Sequence, residues 1–300
     1  MTMKKFVSAF LMLCILTVFS AWTDSPIKVR DVLGRDTVLA GPAKRVVSLI
    51  PAITEILFAV GAGNLTVGIT EFCNYPEETK YVEKVGGFSG ATISVEKIVS
   101  LKPDLVLVSA DMHYRIIALL DQAGIVSFAF EPKNMEDIFS SIRTIGILTG
   151  HEKGASETIA SMEEKLGKAK ELSAGKKKVT VFWEIWDNPL MTSGSGTFIN
   201  EAISLAGGRN IFDDLKANWP EVSVEQVILR NPEWIMTDNN HGIHINQTAL
   251  SKRPGWSRID AVRSNRIGII NSDMIMRAGP RLADAILQMA ELIHGDTERR

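Results

Sequence analysis

The sequence predicts an α/β protein made of two similar α/β lobes that are joined by a long backbone helix, with a ligand cleft between the lobes. Two observations support this fold class. Short apolar runs alternate with helical patterns along most of the 300 residues, and one set of motifs occurs on either side of a long helical stretch. Hydrophobic residues make up 45% and charged residues 23% of the chain, which excludes a disordered or fibrous protein.

The chain begins with the features of an export signal. Lysines at positions 4 and 5 precede an unbroken run of apolar and small residues at 6–19, and Ser20 and Ala21 follow. The run is shorter than the roughly 20 apolar residues that a membrane-spanning helix needs. We therefore expect a cleaved signal peptide; an uncleaved N-terminal anchor is the alternative.

Seven short and almost continuously apolar runs are typical of strands that helices cover on both faces. They lie at residues 46–50, 67–69, 105–109, 126–130, 179–185, 235–237 and 267–270. Helical patterns separate them, and two begin with good start signals, Pro51 and Ser94. These patterns lie at residues 52–60, 95–101, 114–123 and 280–294. Alternation of strand and helix predicts a mostly parallel sheet.

The middle of the chain shows no strand signal between residues 130 and 179. A helix is predicted at 135–148, and after Gly150 a second helix at 152–172 has apolar residues at three- and four-residue spacing among many lysines and glutamates. We expect this helix to connect the lobes; a helix packed on one continuous sheet is the alternative. The predicted division is a signal peptide at 1–21, an N-terminal lobe at 24–150, a connecting helix at 151–175 and a C-terminal lobe at 176–295.

Two blocks of the sequence share the same order of motifs. Ser-Val-Glu occurs at 94–96 and again at 223–225, each time followed at the same interval by a proline and an acidic residue. Asn-Tyr-Pro at 74–76 precedes the first unit, as Asn-Trp-Pro at 218–220 precedes the second. Two related lobes enclose a cleft, and clefts between domains are favoured sites for small molecules.

Charge and cysteine content exclude several kinds of partner and site. The net charge is −2 and the main basic run is the three lysines at 176–178, so we expect no nucleic-acid partner. Two cysteines cannot form a disulfide framework or a four-cysteine metal site. Cys14 follows Leu13, where a lipoprotein signal has a small residue, so we do not expect lipidation. Cys73 is interpreted as a buried free thiol, with ligand contact as the alternative.

The motifs in this order resemble a known family. They are Arg-Val-Val-Ser-Leu at 45–49, Thr-Glu at 54–55, Asn-Tyr-Pro at 74–76, Ser-Val-Glu at 94–96 and 223–225, Asn-Trp-Pro at 218–220, and Arg-Ala-Gly-Pro-Arg at 277–281. From about residue 45 to 294 the chain resembles the ABC-importer substrate-binding proteins of the helical-backbone type, which serve cobalamin, siderophores and haem. The two aromatic-Pro loops are most similar to those of cobalamin-binding members.

The resemblance implies partners and docking residues. The expected partner is an ABC importer permease dimer with its ATPase. This chain is expected to be a monomer in the periplasm or on the extracytoplasmic face of the membrane. In the family, glutamates that match Glu96 and Glu225 lie on opposite lobe tips and dock into arginine pockets of the permease. The alternative is that each carboxylate only stabilises the start of its helix, and both roles are compatible.

Five residues are candidates for the ligand cleft: Tyr75, Phe88, Trp186, Trp219 and Asp273. Prolines after Tyr75 and Trp219 restrict both loops, and a flat macrocycle such as a corrin is held mainly by apolar faces. By the resemblance, Phe88 stands where the cobalamin binder has a tryptophan, and Asp273 matches a polar cleft position. For each aromatic residue, a place in the core is the alternative.

The predicted function is capture of cobalamin or a related corrinoid and its delivery to the importer, with no enzyme activity, metal or cofactor of its own. A haem or iron-siderophore binder of the same fold is the alternative. A secreted α/β hydrolase is a remote alternative, because Ser195 does not complete a nucleophile elbow. His241 and His244 have metal-like spacing, but we interpret their Asn- and Gly-rich segment as a polar surface loop.

Overall fold

The computed structural model describes residues 26–239 and 245–295, so the predicted signal peptide, His241 and His244 lie outside the described residues. Its strands are β1 (Ile27–Arg30), β2 (Asp36–Leu39), β3 (Val46–Ser48), β4 (Thr66–Ile69), β5 (Leu105–Ser109), β6 (Ser127–Phe130), β7 (Val179–Asp187), β8 (Leu190–Thr192), β9 (Gly208–Asn210), β10 (Trp234–Asp238) and β11 (Ile267–Ile270). Its helices are α1 (Pro51–Ala59), α2 (Val95–Ser100), α3 (Tyr114–Gln122), α4 (Met135–Thr149), α5 (Glu152–Ser173), α6 (Phe198–Leu205), α7 (Val224–Arg230), α8 (Gln247–Ser251), α9 (Asp260–Arg263), α10 (Ser272–Ile275) and α11 (Leu282–His294).

Two parallel sheets have the same strand order. The first sheet runs β4-β3-β5-β6, and the second runs β9-β7-β10-β11 with the short strand β8 added antiparallel to β7. Corresponding strands occupy corresponding positions, which confirms the predicted pair of similar lobes. We call the part of the chain before α5 the N-terminal lobe and the part after it the C-terminal lobe.

The repeated Ser-Val-Glu motif begins an equivalent helix in each lobe. The Ser94 hydroxyl accepts a hydrogen bond from the Lys97 backbone N–H at the start of α2. At the start of α7, the Ser223 hydroxyl accepts from the Gln226 N–H, and the Gln226 side chain accepts in return from the Ser223 N–H. These caps satisfy backbone donors that an α-helix leaves unpaired, so the sequence motif fixes where both helices begin.

Helix α5 lies between the lobes and packs against α4 and α11. Gly150, with φ of +70°, ends α4 in the left-handed conformation that glycine adopts without strain, and α5 begins two residues later. Buried Ala155, Met162 and Ala169 form the inner face of α5. They belong to one apolar cluster that extends into both lobes, so the hydrophobic core is continuous across the connection.

Two antiparallel pairings were not predicted. The hairpin β1–β2 alternates exposed and more buried positions, and β8 is three residues long and is defined by its pairing with β7. The predicted mostly parallel arrangement therefore holds for the two central sheets, whereas the separate β1–β2 hairpin and the pairing of β8 with β7 are antiparallel. Across the two described ranges, no helix combines the length and apolar character needed to cross a membrane.

Candidate functional site

A cavity of about 430 Å³ lies between the lobes, and we call it the cleft cavity. Loops that follow the carboxyl ends of β3 and β5 contribute to its N-terminal wall, and α6 together with residues 272–278 forms its C-terminal wall. Apolar side chains dominate the lining: Phe72, Phe88, Met112, Phe130, Phe198 and Met276. This arrangement suits a large ligand with apolar faces, because such pockets take their affinity from hydrophobic and aromatic contact.

Phe88, a predicted cleft residue, lines this cavity. Its ring is 39% exposed and meets the Phe72 ring edge-on, with centroids 5.5 Å apart. The loop turns at Gly86, where φ is +128° and an added Cβ would stand 2.1 Å from the Thr92 carbonyl oxygen. A glycine is therefore required at this turn, and the turn presents Phe88 at the cleft.

A second cavity of about 460 Å³ continues from the cleft cavity and is polar, so we call it the polar cavity. It shares Phe72, Ser272, Asp273 and Arg277 with the cleft cavity and adds Glu71, Asn74, Asn239 and Asn271. Three neutral amides thus stand beside the apolar wall. Amides both donate and accept hydrogen bonds, so they can orient a ligand that carries neutral polar groups.

Asp273, another predicted cleft residue, lines both cavities and is held by two partners. Its carboxylate pairs with Arg277 at 2.7 Å and accepts a hydrogen bond from the Asn74 side-chain amide at 2.9 Å. Arg277 also donates to the Asn74 amide oxygen and to Glu55, each at 2.8 Å. The positive charge of Arg277 is therefore matched by two carboxylates, one from each lobe.

Tyr75 lies on the other side of this network from Phe88. It is 45% exposed and lines a separate cavity of about 510 Å³ beside α5, not the cleft cavity. The Arg281 guanidinium stands over its ring, 3.9 Å from the centroid. Burial lowers the pKa of Arg281, but the hydrogen bond and charge of Glu55 more than compensate, so the net pKa is raised.

Trp186 and Trp219 each lie next to a segment that pairs with β8 in the C-terminal lobe: Trp186 is opposite Met191, and Trp219 directly precedes Pro220 and Glu221. Each is 40% exposed, and neither is among the residues that line the cleft or polar cavity. The Trp186 indole N–H donates to the Asn188 carbonyl at 2.8 Å, beside the turn from β7 to β8. The residue after Trp219, Pro220, accepts from the Thr192 N–H of β8. Their assignment to the ligand remains a prediction.

Glu96 and Glu225 occupy the second position of α2 and α7, and both side chains are exposed. The Ser94 hydroxyl donates to the Glu96 carboxylate at 3.1 Å. Hydrogen bonds from its own backbone N–H and from the Ser223 hydroxyl lower the pKa of Glu225. The two lobes thus present an equivalent carboxylate at an equivalent helix start.

The remaining candidates stand apart from the cavities. The Cys73 thiol is buried and contacts the Thr54 and Thr70 hydroxyls at 3.1 and 3.2 Å. The Ser195 hydroxyl donates to the Leu215 carbonyl at 3.0 Å. Among the residues with described positions, no three His, Cys, Asp or Glu side chains are grouped so that they could hold a metal ion.

Sequence reasoning did not assign roles to Phe72, Glu55 or Arg277. Arg277 and Glu55 stood within motifs that supported the resemblance, but the motifs gave no indication that the two side chains meet. Phe72 could have been considered because it is an aromatic residue just ahead of Asn-Tyr-Pro.

Comparison with known proteins identifies the family. A family model described as periplasmic binding protein matches residues 46–274. YvrC of Bacillus subtilis (strain 168), described as an uncharacterized ABC transporter substrate-binding lipoprotein, is 35% identical over 281 residues, which cover 91% of this chain and 87% of YvrC.

Solved structures agree in fold. The periplasmic vitamin B12 binding protein BtuF of Vibrio cholerae superposes with a TM-score of 0.70 and 28% identity, covering 84% of this chain and 97% of BtuF. The periplasmic heme-binding protein RhuT of Roseiflexus sp. RS-1 superposes with a TM-score of 0.72 and 26% identity, covering 85% of this chain and all of RhuT (100%). With the family model matching most of its length, the chain belongs to the periplasmic binding protein family.

Proposed function

We propose that this protein captures cobalamin or a related corrinoid in the cleft cavity outside the cytoplasm and delivers it to an ABC importer permease. The observation that carries the proposal is the composition of the site: an aromatic and apolar wall next to a set of neutral amides. A corrinoid has a flat macrocycle with amide side chains at its edge. Apolar faces would meet the aromatic wall, and the edge amides would pair with Asn74, Asn239 and Asn271.

Charge supports a corrinoid over an anionic ligand. Among the described residues that line the cleft and polar cavities, Arg277 is the one cation, and Glu55 and Asp273 pair with it. Glu71 and Glu131 add negative charge to the lining. Haem propionates and anionic siderophores would meet repulsion from these carboxylates, and burying an unpaired anion is costly.

A haem or iron-siderophore ligand is the second candidate, favoured by the similarity in fold to the heme-binding RhuT. The two candidates differ in absorption, because haem gives a strong Soret band and a corrinoid gives its own spectrum. Export from the cytoplasm also belongs to the proposal. The apolar run at 6–19 supports export, and the description of YvrC as an ABC transporter substrate-binding lipoprotein supports an extracytoplasmic location.

The test is calorimetric titration of the purified protein with cyanocobalamin and, separately, with haemin. We expect saturation at one corrinoid per protein and weak or unsaturable haemin binding. Protein purified from a corrinoid-containing extract should carry a corrinoid spectrum without a Soret band. Tight haemin binding without any response to several corrinoids would overturn the proposal in favour of the second candidate.

A further inference from the structure

We propose that His113 is a positioning residue that holds the Phe88 loop, residues 86–93, in place in the N-terminal wall of the cleft cavity. The inference rests on the proposed function, because the wall matters only if the cleft binds a ligand. His113 directly precedes α3 and is fully buried, with 0% of its surface exposed. It lines neither the cleft nor the polar cavity, so it acts through the residues that it touches.

The imidazole makes two hydrogen bonds, one as acceptor and one as donor. Its Nδ1 accepts from the Ser109 backbone N–H at 3.0 Å, and its Nε2 lies 3.1 Å from the Phe88 carbonyl oxygen. A backbone N–H only donates and a carbonyl oxygen only accepts. Both bonds therefore form together only in the neutral tautomer that carries its proton on Nε2.

These bonds join the Phe88 loop to the end of β5. Ser109 is the last residue of β5, whose five residues are all buried. Its hydroxyl donates to the Glu131 carboxylate at 3.1 Å and accepts from the Met112 N–H at 3.2 Å. Ser109, Met112 and Glu131 line the cleft cavity with Phe88. His113 thus fixes the position of Phe88 relative to Ser109 and to the two lining residues that Ser109 bonds, Met112 and Glu131.

Apart from the bond to His113, the hydrogen bonds of the Phe88 loop lie within it or at its ends. An isolated bridge between Gly86 and Ile93 joins the ends, and the Gly86 carbonyl accepts from the Glu71 N–H at 2.8 Å. Inside the loop, the Gly87 N–H donates to the Thr92 carbonyl at 3.2 Å, and the Thr92 N–H and hydroxyl donate to the Ser89 carbonyl at 2.9 and 3.0 Å. The Phe88 ring itself is substantially exposed. Burial of the side chain therefore does not fix the loop, and the bond from His113 to the Phe88 carbonyl is what ties its middle to the end of β5.

Three substitutions separate the two bonds. His113→Gln keeps a donor near the Nε2 position, His113→Asn keeps an acceptor near the Nδ1 position, and His113→Phe keeps the ring volume without either bond. Each purified variant is first studied without ligand by hydrogen exchange of the segment 86–93. Affinity for cyanocobalamin is then measured by calorimetry.

We expect segment 86–93 to exchange about fivefold faster in His113→Asn and His113→Phe than in the wild type, the scale of one lost hydrogen bond. His113→Gln should exchange nearly as slowly as the wild type, and cyanocobalamin affinity should follow the same order. If His113→Asn preserves the loop as well as His113→Gln, the bond to Phe88 has no positioning role and the inference is overturned. The exchange measurement uses no ligand. If the wild type fails to bind cyanocobalamin, the proposed function is refuted, while the exchange rates still test the positioning role of His113.

Discussion

The carboxylate of Glu55 accepts two hydrogen bonds from the guanidinium of Arg281, at 2.8 and 2.6 Å, across the junction of the two lobes. Arg277 adds a third hydrogen bond at 2.8 Å, and the Glu55 side chain is 2% exposed. One buried carboxylate from α1 of the N-terminal lobe therefore binds two cations from the segment that precedes α11. Arg277 also pairs with Asp273 of the cleft cavity, and Arg281 stands over Tyr75 of the separate cavity beside α5.

Replacing Glu55 with alanine should lower the free energy of unfolding by about 3 kcal/mol, because it removes the carboxylate that Arg281 and Arg277 share and leaves the partly buried Arg281 without its ion-pair partner, while Arg277 keeps Asp273. Chemical denaturation of the purified protein measures this loss. The control is Glu136→Ala, which removes an exposed ion pair with Arg143 and should change stability by at most about 1 kcal/mol. We call the ion pairs of Glu55 with Arg277 and Arg281 the Glu55 network. Equal stabilities for the two variants would show that this network contributes no more to stability than a surface ion pair.

Ligand binding should bring only a small closure of the lobes. The 22-residue helix α5 spans the junction, its inner face belongs to an apolar cluster shared by both lobes, and the Glu55 network adds a polar connection. Hinge motion needs a few residues that absorb backbone rotation, and a packed helix resists such rotation. Small-angle scattering with and without cyanocobalamin should give nearly the same radius of gyration. A large decrease on binding would contradict this expectation.

Much of the fold could be predicted because its signals are local. The runs at 105–109 and 267–270 coincide with β5 and β11, and Ser94 and Ser223 begin the helices that their cap chemistry predicts. By contrast, β8 and β9 are three residues each and exist because β7 offers them a partner. Pairing of this kind depends on tertiary structure, which a short run of residues does not encode on its own.

The site was predictable only in part, for a related reason. Phe88 and Asp273 were found because a loop motif and a resemblance mark them, and both line the cleft cavity. Glu55 and Arg281 are 226 residues apart in sequence, and nothing local distinguishes Glu55 from other glutamates. Tyr75 belongs to the Asn-Tyr-Pro motif, but its ring lies under Arg281 and lines the separate cavity beside α5.

Stability should fall as the pH drops below about 6.5, the ordinary pKa of an unfolded histidine. Burial lowers the pKa of His113 in the folded protein, although the hydrogen bond to Phe88 opposes this effect. Between those two pKa values the unfolded chain binds a proton that the folded protein does not, so acidification favours unfolding. The loss is complete once the pH lies below the folded-state pKa. In denaturation experiments, the free energy of unfolding of His113→Gln should decline less between pH 7 and 5 than that of the wild type. An unchanged slope would exclude His113 as the source of the pH dependence.

Removing the Phe88 ring should weaken corrinoid binding by about 1–3 kcal/mol, the scale for a large buried apolar contact. Calorimetry of Phe88→Ala measures the change. Tyr81→Ala is the matched control, because Tyr81 is an aromatic residue of the same lobe that is 82% exposed and lies outside the cleft lining. Trp219→Ala tests whether the ligand also extends beyond the cleft cavity to the part of the C-terminal lobe beside β8. A Phe88→Ala protein with wild-type affinity would remove this ring from the site.

Reversing the charge of Glu96 and Glu225 together should strongly reduce transport while ligand affinity stays nearly constant. Both carboxylates are exposed at the second position of equivalent helices, and neither lines the cleft or polar cavity. If a permease meets each lobe with a cation, two attractive contacts become two repulsive ones. Uptake of labelled cobalamin by cells and calorimetry of the purified variant measure the two effects separately.

The matched control for this reversal is Glu136→Lys, since Glu136 is an exposed glutamate at the second position of α4. It should leave uptake unchanged, and each single reversal of Glu96 or Glu225 should reduce uptake less than the double one. Docking of the single variants on permease-containing vesicles should also depend on salt, because exposed charges are screened over about 8 Å at physiological ionic strength. A double variant that loses the ligand yet still docks would place the two glutamates at the cleft and leave the permease-facing surface to other residues.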